Sequence, residues 1–112
     1  MKLITKRAAA AAAWCVLAGL ASGSAQAQAA MEEGKKLFNQ TAVPACAVCH
    51  TLKHAGAAGE IGPSLDELKP DAARVEKAMR TGIGQMPAFT NLSDAQIRQI
   101  AAYVAAATGA AK

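Results

Sequence analysis

The chain has 112 residues, a length that allows one small domain. Apolar residues make up 53% of it, but only 4% are aromatic and alanine supplies much of the rest. Such a domain has few large side chains to bury and would gain from an apolar group held at its centre. The formal charge is +4, but three of the twelve basic residues lie in the first seven positions, which leaves nine basic against eight acidic residues. This balance excludes the strongly basic surface of a nucleic-acid-binding protein.

The first 27 residues have the pattern of an export signal. An alanine-rich apolar run follows the basic start, and residues 25–27 read Ala-Gln-Ala, an A-x-A cleavage site. We predict cleavage after Ala27, with Ala29 as the second choice, which leaves a domain of residues 28–112 in the periplasm. The alternative is an uncleaved membrane anchor, but the apolar run is shorter than the roughly 20 residues that span a bilayer. The basic residues of the start are Lys2, Lys6 and Arg7.

A short helix is predicted next, over residues 31–40. Glu32 and Glu33 would lie in its first turn, where negative charge suits the helix dipole, and Leu37 and Phe38 would form its apolar face. Residues 41–45, which include a proline, are predicted to form the turn that follows.

Two cysteines remain after the signal, and both lie in the run Cys46-Ala47-Val48-Cys49-His50. A C-x-x-C pair occurs in redox disulfides, in halves of zinc sites and at haem attachment sites. The two cysteines, His50 and the nearby His54 match no common zinc spacing. A thioredoxin-like site needs a strand–helix context, and the chain has no strong strand pattern. The adjacent histidine therefore favours the third interpretation, one covalently bound haem c with His50 beneath the iron.

Two helices and the loops around them complete the predicted domain. Residues 53–62 are rich in glycine and alanine and are predicted to form a loop. A helix is predicted to open at Pro70-Asp71, to present an apolar stripe and to end at Gly82. The last helix is predicted to start at Ser93, because residues 93–96 read Ser-Asp-Ala-Gln, a capping box. The stripe of the first helix is Val75, Ala78 and Met79, and that of the second is Ile97, Ile100, Ala101 and Val104, with Tyr103 at its edge.

Met86 lies in the loop between these helices, with glycines at positions 82 and 84 before it and Pro87 after it. A core methionine usually lies on a helix stripe, as Met79 does, and Met86 does not. A loop with small neighbours lets a thioether sulfur approach a metal, so we predict that Met86 is the second axial ligand of the iron. The alternative is a methionine that only fills a gap. Ligation by both His50 and Met86 would leave the iron no open position for a substrate.

With these motifs, the chain after the signal resembles the small monohaem class I cytochromes c. The resemblance implies an all-α cytochrome c fold, with three to four helices wrapped around one covalent haem. It implies thioethers at Cys46 and Cys49 and axial ligation of the iron by His50 and Met86. It also implies that the carbonyl of Pro63 accepts a hydrogen bond from the other ring nitrogen of His50. The resemblance further implies that the first helix crosses the last one, with Gly34 and Phe38 near Tyr103. The matching parts are Gly34 to Phe38, Cys46 to His50, Gly62-Pro63-Ser64-Leu65, Met86-Pro87 and the last helix with Tyr103.

The function that the resemblance implies is that of a periplasmic single-electron carrier and not of an enzyme. Residues 44–89 further resemble the cytochrome subunits or acceptors of bacterial sulfite dehydrogenases, which implies redox protein partners: a dehydrogenase as donor and a cytochrome or oxidase as acceptor. One alternative is a dedicated cytochrome subunit of a heteromeric oxidoreductase. Another is a gas-binding or peroxidase-type haem protein with an open iron site. We expect no nucleic-acid partner and no stable membrane insertion after cleavage.

Several polar residues admit two interpretations. His54 is predicted to be a solvated loop histidine, with a role at the haem edge or in pH sensing as the alternative. Four basic residues, Lys53, Lys69, Arg74 and Arg80, are either a simple solvated surface or a ring that steers an acidic partner towards the haem edge.

Overall fold

The computed structural model describes residues 14–110, which are mostly helical. None of the helices within this described part is long and apolar enough to cross a membrane. The basic start of the predicted signal lies outside it. The helices are α1 (Trp14–Lys36), α2 (Cys46–Cys49), α3 (Leu65–Leu68), α4 (Ala72–Thr81) and α5 (Asp94–Thr108), and a π-helical turn (Leu37–Thr41) continues α1. Strands β1 (Thr51–Leu52) and β2 (Ala57–Ala58) flank a 3₁₀ turn (Lys53–Ala55).

Helix α5 is the centre of the packing, because both α4 and α1 pack against it. The apolar stripe predicted for α5 is confirmed, since all four of its residues are buried. Burial of a large apolar side chain stabilises the fold by about 1.5–3 kcal/mol, so these few residues carry much of the stability of an alanine-rich domain. The largest fully buried side chains are Leu37, Phe38, Leu52, Met79, Ile100 and Val104.

The N-terminal helix is longer than the sequence predicts. It begins at Trp14 instead of Met31, and the α-helix passes into the π-helical turn at Leu37. Glu32 and Glu33 therefore lie near its C-terminal end, and their predicted place in a first turn is wrong. The physical reason is composition, because the alanine-rich residues upstream have high helix propensity and allow the helix to extend backwards. The predicted cleavage positions lie inside this helix.

The ends of α4 and α5 follow from their capping residues. Ser93 caps α5, and its side chain and that of Gln96 form the predicted capping box with each other's backbone N–H groups. Helix α4 ends at Gly82 as predicted, but it is capped by Asp71, whose carboxylate accepts a hydrogen bond of 2.8 Å from the backbone N–H of Arg74. Pro70 therefore precedes the cap and does not lie in the first turn.

A small β-hairpin overlaps the region predicted to be a loop, because β2 lies within residues 53–62 and β1 lies just before them. The two strands are antiparallel, with Thr51 opposite Ala58 and Leu52 opposite Ala57. The hydroxyl of Thr51 also donates a hydrogen bond of 2.9 Å to the carbonyl of Gly59. Strands of two residues are too short to show an alternating pattern, and β2 consists of alanine, which has a low strand propensity, so the sequence pattern did not indicate them.

Helices α1 and α5 cross at the point where Gly34 meets Tyr103. A Cβ atom on Gly34 would lie only 2.6 Å from Cγ of Tyr103, so the crossing requires glycine. The ring of Phe38 packs edge-on against that of Tyr103 at 6.1 Å between centroids. Tyr103 is 2% exposed, so it belongs to the core and not to the edge of the stripe where the sequence analysis placed it.

Candidate functional site

A cavity of about 600 Å³ lies between α2, α4 and the loops that follow them. Its volume is in the range of roughly 300–1,000 Å³ that is typical of cofactor sites. Its walls are mostly apolar, and the charged side chains on them, among the described residues, are Arg74 and Lys77. The apolar lining includes Phe38, Pro44, Ile61, Leu65, Leu68, Val75, Met79, Ile83, Phe89 and Ile100.

One wall of the cavity carries both thiols and His50. Cys46 and Cys49 are the first and last residues of α2, and both are free and partly buried. The following loop holds this wall in place, because the N–H of Gly62 donates to the carbonyl of Cys49 at 2.7 Å and that of Gly59 to the carbonyl of His50 at 3.2 Å. Both cysteines and His50 therefore line one surface of the same cavity.

His50 is oriented by the loop that faces it. Its Nδ1 lies 2.8 Å from the carbonyl oxygen of Pro63. Because a carbonyl can only accept, Nδ1 donates this hydrogen bond, which leaves the lone pair of Nε2 free to bind a metal. A Cβ atom on Gly62 would lie 2.6 Å from Cε1 of the imidazole, so only glycine leaves room for the ring in this position.

Met86 lines the same cavity from the loop between α4 and α5. The loop is tight, because Ile83 and Met86 exchange two backbone hydrogen bonds of 3.0 and 2.9 Å. Gly82 has φ of +70°, a left-handed conformation that favours glycine, and a Cβ there would lie 2.9 Å from the carbonyl oxygen of Met86. Met86 is partly buried and packs against the core, and its side chain lines the cavity.

The acidity of the thiols bears on the kind of chemistry that the pair supports. Burial raises the pKa of Cys46 to about 11, and the neighbouring Cys49 adds to the rise. Disulfide oxidoreductases depend instead on a cysteine whose pKa is lowered, so that the thiolate is present near neutral pH. The raised pKa of the partly buried Cys46 therefore argues against a role in disulfide exchange.

The residues on the walls fit a haem group. Two thiols, an imidazole with a free Nε2 and a thioether sulfur converge on one apolar cavity of sufficient size. An apolar pocket with few polar groups suits a large flat macrocycle, and imidazole and thioether are established axial ligands of haem iron. The hydrogen bond from Nδ1 of His50 to the carbonyl of Pro63 orients the imidazole at the cavity wall.

His54 does not line the cavity, and it forms a hydrogen bond that the sequence did not suggest. Its Nδ1 forms a hydrogen bond of 2.8 Å with the hydroxyl of Tyr103, and the two rings meet edge-on at 5.4 Å. Burial and the nearby Glu32 raise the pKa of Tyr103 to about 12, so its hydroxyl stays protonated. The imidazole is exposed, but it is bound to the buried crossing of α1 and α5 and is not simply a solvated loop residue.

Of the four basic residues considered as a ring, Arg74 alone lines the cavity. Arg74 lines the cavity, whereas Arg80 is bound elsewhere, with Nη2 2.9 Å from Glu76 and Nη1 2.6 Å from Asp94. Lys53 and Lys69 are exposed and do not line the cavity. The structure instead adds Lys77, which the sequence analysis did not single out. Its position three residues after Arg74 in the predicted helix could have indicated that both lie on one face.

Comparison with known proteins identifies the class. The family model described as "Cytochrome C oxidase, cbb3-type, subunit III" matches residues 29–104. The crystal structure of the c-type cytochrome SorU from Sinorhizobium meliloti is 48% identical, with a TM-score of 0.70 over 76% of this chain and 98% of that chain. A search of the curated proteins finds no match.

The fold and the matches define a monohaem cytochrome c. More narrowly, the chain belongs to the cytochrome c family that the cbb3-type subunit III model describes. Membership confirms the predicted cytochrome c fold. It makes the protein an electron carrier, and it implies haem c with iron as the cofactor.

Proposed function

We propose that this protein carries single electrons through a haem c that is attached by thioethers to Cys46 and Cys49 and ligated by His50 and Met86. The observation that carries the proposal is the convergence of these four side chains on one apolar cavity. When bound, the haem supplies reversible one-electron chemistry between ferrous and ferric iron.

The residues around the cavity would hold both ligands still. The hydrogen bond from Nδ1 of His50 to Pro63 fixes the ring orientation and the tautomer, as an acceptor behind a ligating histidine generally does. The paired backbone hydrogen bonds between Ile83 and Met86 hold the loop that carries the second ligand. With both ligands held in this way little would need to rearrange when an electron moves, so such a site would suit electron transfer better than the binding of a substrate to the iron.

The mouth of the cavity is the expected place of contact with redox partners. Ile61 and Ile83 line the cavity and are 65% and 70% exposed. Exposed apolar side chains beside a cofactor suit the small, short-lived interfaces of electron-transfer proteins. The resemblance of residues 44–89 to the cytochromes of sulfite dehydrogenases supports a dehydrogenase of that type as the donor and a respiratory cytochrome or oxidase as the acceptor.

We propose further that the protein acts in the periplasm after cleavage at Ala27. The support is the sequence pattern of residues 1–27, with a basic start, an apolar run and an A-x-A site. The mass of the protein purified from an exporting host tests this directly. A mature chain that begins at residue 28 and carries the mass of one haem is expected, whereas an intact N-terminus would contradict export by cleavage.

The ligand assignment is tested by two matched substitutions, Met86→Leu and Met79→Leu. Both remove a thioether and nearly conserve volume, but Met79 is 1% exposed in the core between α4 and α5. We expect carbon monoxide to bind rapidly to the reduced haem of Met86→Leu. The reduced haem of Met79→Leu should not bind it. Rapid binding in Met79→Leu alone would show that the ligand had been assigned to the wrong methionine.

The donor is tested with a purified bacterial sulfite dehydrogenase and sulfite. Reduction of the haem should be rapid and should depend on the concentration of this protein in a saturable way. A rate no greater than that with sulfite alone would contradict a donor of the sulfite dehydrogenase type, and the electron-carrier function would stand.

A further inference from the structure

Two cations face the cavity from α4. Arg74 and Lys77 line it, together with Ala78 and Thr81 of the same helix. These positions recur at intervals of three and four residues, which places them on one face of the helix. Among the side chains of residues 23–110, none forms an ion pair or a hydrogen bond with the side chain of either cation.

The carboxylates of the surrounding elements are directed elsewhere. Within the described part of the chain, no Asp or Glu lines the cavity. Glu76 and Asp94 are bound to Arg80, and Asp66 accepts a hydrogen bond of 2.8 Å from the backbone N–H of Lys53. Asp71, the cap of α4, accepts a hydrogen bond of 2.8 Å from the backbone N–H of Arg74. The acidic residues on the neighbouring loop and helices are Glu60, Asp66, Glu67, Asp71, Glu76 and Asp94. The cavity is thus apolar with positive charge that the protein itself does not neutralise.

The cations and the thiols belong to different walls. Helix α2, which carries the thiols, packs against β2 and the π-helical turn, whereas α4 packs against α5. A haem has its two vinyl groups on one edge and its two propionate carboxylates on the other. A haem attached through its vinyl edge to Cys46 and Cys49 therefore presents its carboxylates away from α2.

We propose that Arg74 and Lys77 form the binding site for the two propionate carboxylates of the haem. The inference rests on the proposed haem attachment and extends it to a second set of contacts. A guanidinium presents a planar pair of donors that matches a carboxylate, and an ammonium supplies a point charge. Both side chains are exposed, so their main effect is on the protonation of the carboxylates and less on stability.

The effect is measurable in the reduction potential. A nearby cation favours the ionised form of a carboxylate and lowers its pKa. Loss of a propionate proton adds negative charge beside the iron, so the potential falls as the pH rises through that pKa. Removal of a cation should therefore move this pH-dependent step to higher pH.

The experiment is a spectroelectrochemical titration of the haem-loaded protein over a range of pH. In Arg74→Gln and in Lys77→Gln the step should shift upwards by about one pH unit, the low end of the effect of an adjacent opposite charge. Arg74→Lys retains the charge and should restore most of the wild-type profile. Arg98→Gln is the matched control, because Arg98 is an exposed arginine of α5 outside the cavity, and its profile should not move.

Profiles of Arg74→Gln and Lys77→Gln that coincide with that of Arg98→Gln would overturn the proposal. The visible spectrum of the same samples separates this failure from that of the proposed function. A visible spectrum typical of haem with both axial ligands, together with coincident profiles, would contradict only the proposed carboxylate site. A wild-type protein that attaches no haem would contradict both the carboxylate site and the proposed function.

Discussion

The crossing of α1 and α5 makes a quantitative prediction at Gly34. A Cβ at this position would lie 2.6 Å from Cγ and 2.9 Å from Cδ2 of Tyr103, whereas ordinary van der Waals contact is 3.4–4 Å. Gly34→Ala therefore requires the two helices to separate by at least about 0.8 Å. Tyr103 cannot move aside, because it is 2% exposed, packs against Phe38 and is bound to His54.

Two opposing energies decide the sign of the effect. Alanine is more favourable than glycine inside a helix by about 1 kcal/mol, which would stabilise the variant. Overpacking of a well-packed core costs about 1–3 kcal/mol, and the loss of edge-on ring geometry adds about 0.5–1.5 kcal/mol. We therefore expect a net destabilisation of about 0.5–3.5 kcal/mol, or a Tm lower by roughly 2–28 °C for a domain of this size.

The assay is thermal and denaturant unfolding of the purified haem-loaded protein, with Glu33→Ala as the control. Glu33 is the preceding residue of the same helix and is exposed, so its substitution should change the free energy of unfolding by less than about 0.5 kcal/mol. A Gly34→Ala protein as stable as the wild type, or more stable, would refute the close crossing. In that case glycine would not be required where the helices meet.

The hydrogen bond between His54 and Tyr103 should contribute about 1 kcal/mol to the free energy of unfolding. His54→Ala and Tyr103→Phe should each lose about this amount and the double variant little more, so additive losses would argue against the pairing. A hydrogen bond from Arg80 lowers the pKa of Asp94, and Arg80→Gln should raise it towards its ordinary value in an NMR pH titration. Because the folded-state pKa is lowered, this interaction stabilises the fold above the ordinary carboxyl pKa and is lost as the pH falls through the lowered one. An unchanged titration of Asp94 in the variant would contradict the ion pair.

The parts of the fold that sequence could predict are those encoded by neighbouring residues. The capping box at Ser93, the stop at Gly82 and the apolar stripe of α5 each depend on residues within a few positions of one another. The motif from Cys46 to His50 is likewise local, so its chemistry could be recognised before the cavity was known.

The parts that escaped prediction depend on contacts between distant segments. His54 and Tyr103 are 49 positions apart, and nothing in the local pattern of either residue indicates the other. The different surroundings of the cations also depend on tertiary contacts. Arg80 forms an ion pair with Asp94 of α5, whereas Arg74 lines the cavity. The full length of α1 was missed for a different reason, since the export-signal pattern and the helix propensity occupy the same residues.

The central claim is that His50 and Met86 both ligate the haem iron. The visible spectrum of the exported, purified protein tests this claim most directly. The spectrum should be recorded oxidised, reduced, and reduced with carbon monoxide. The account predicts the weak far-red band of iron–methionine ligation in the oxidised form and little change when carbon monoxide is added. Absence of the band together with ready binding of carbon monoxide would contradict it, because the iron would then have an open position and a sensing or catalytic haem would explain the site better.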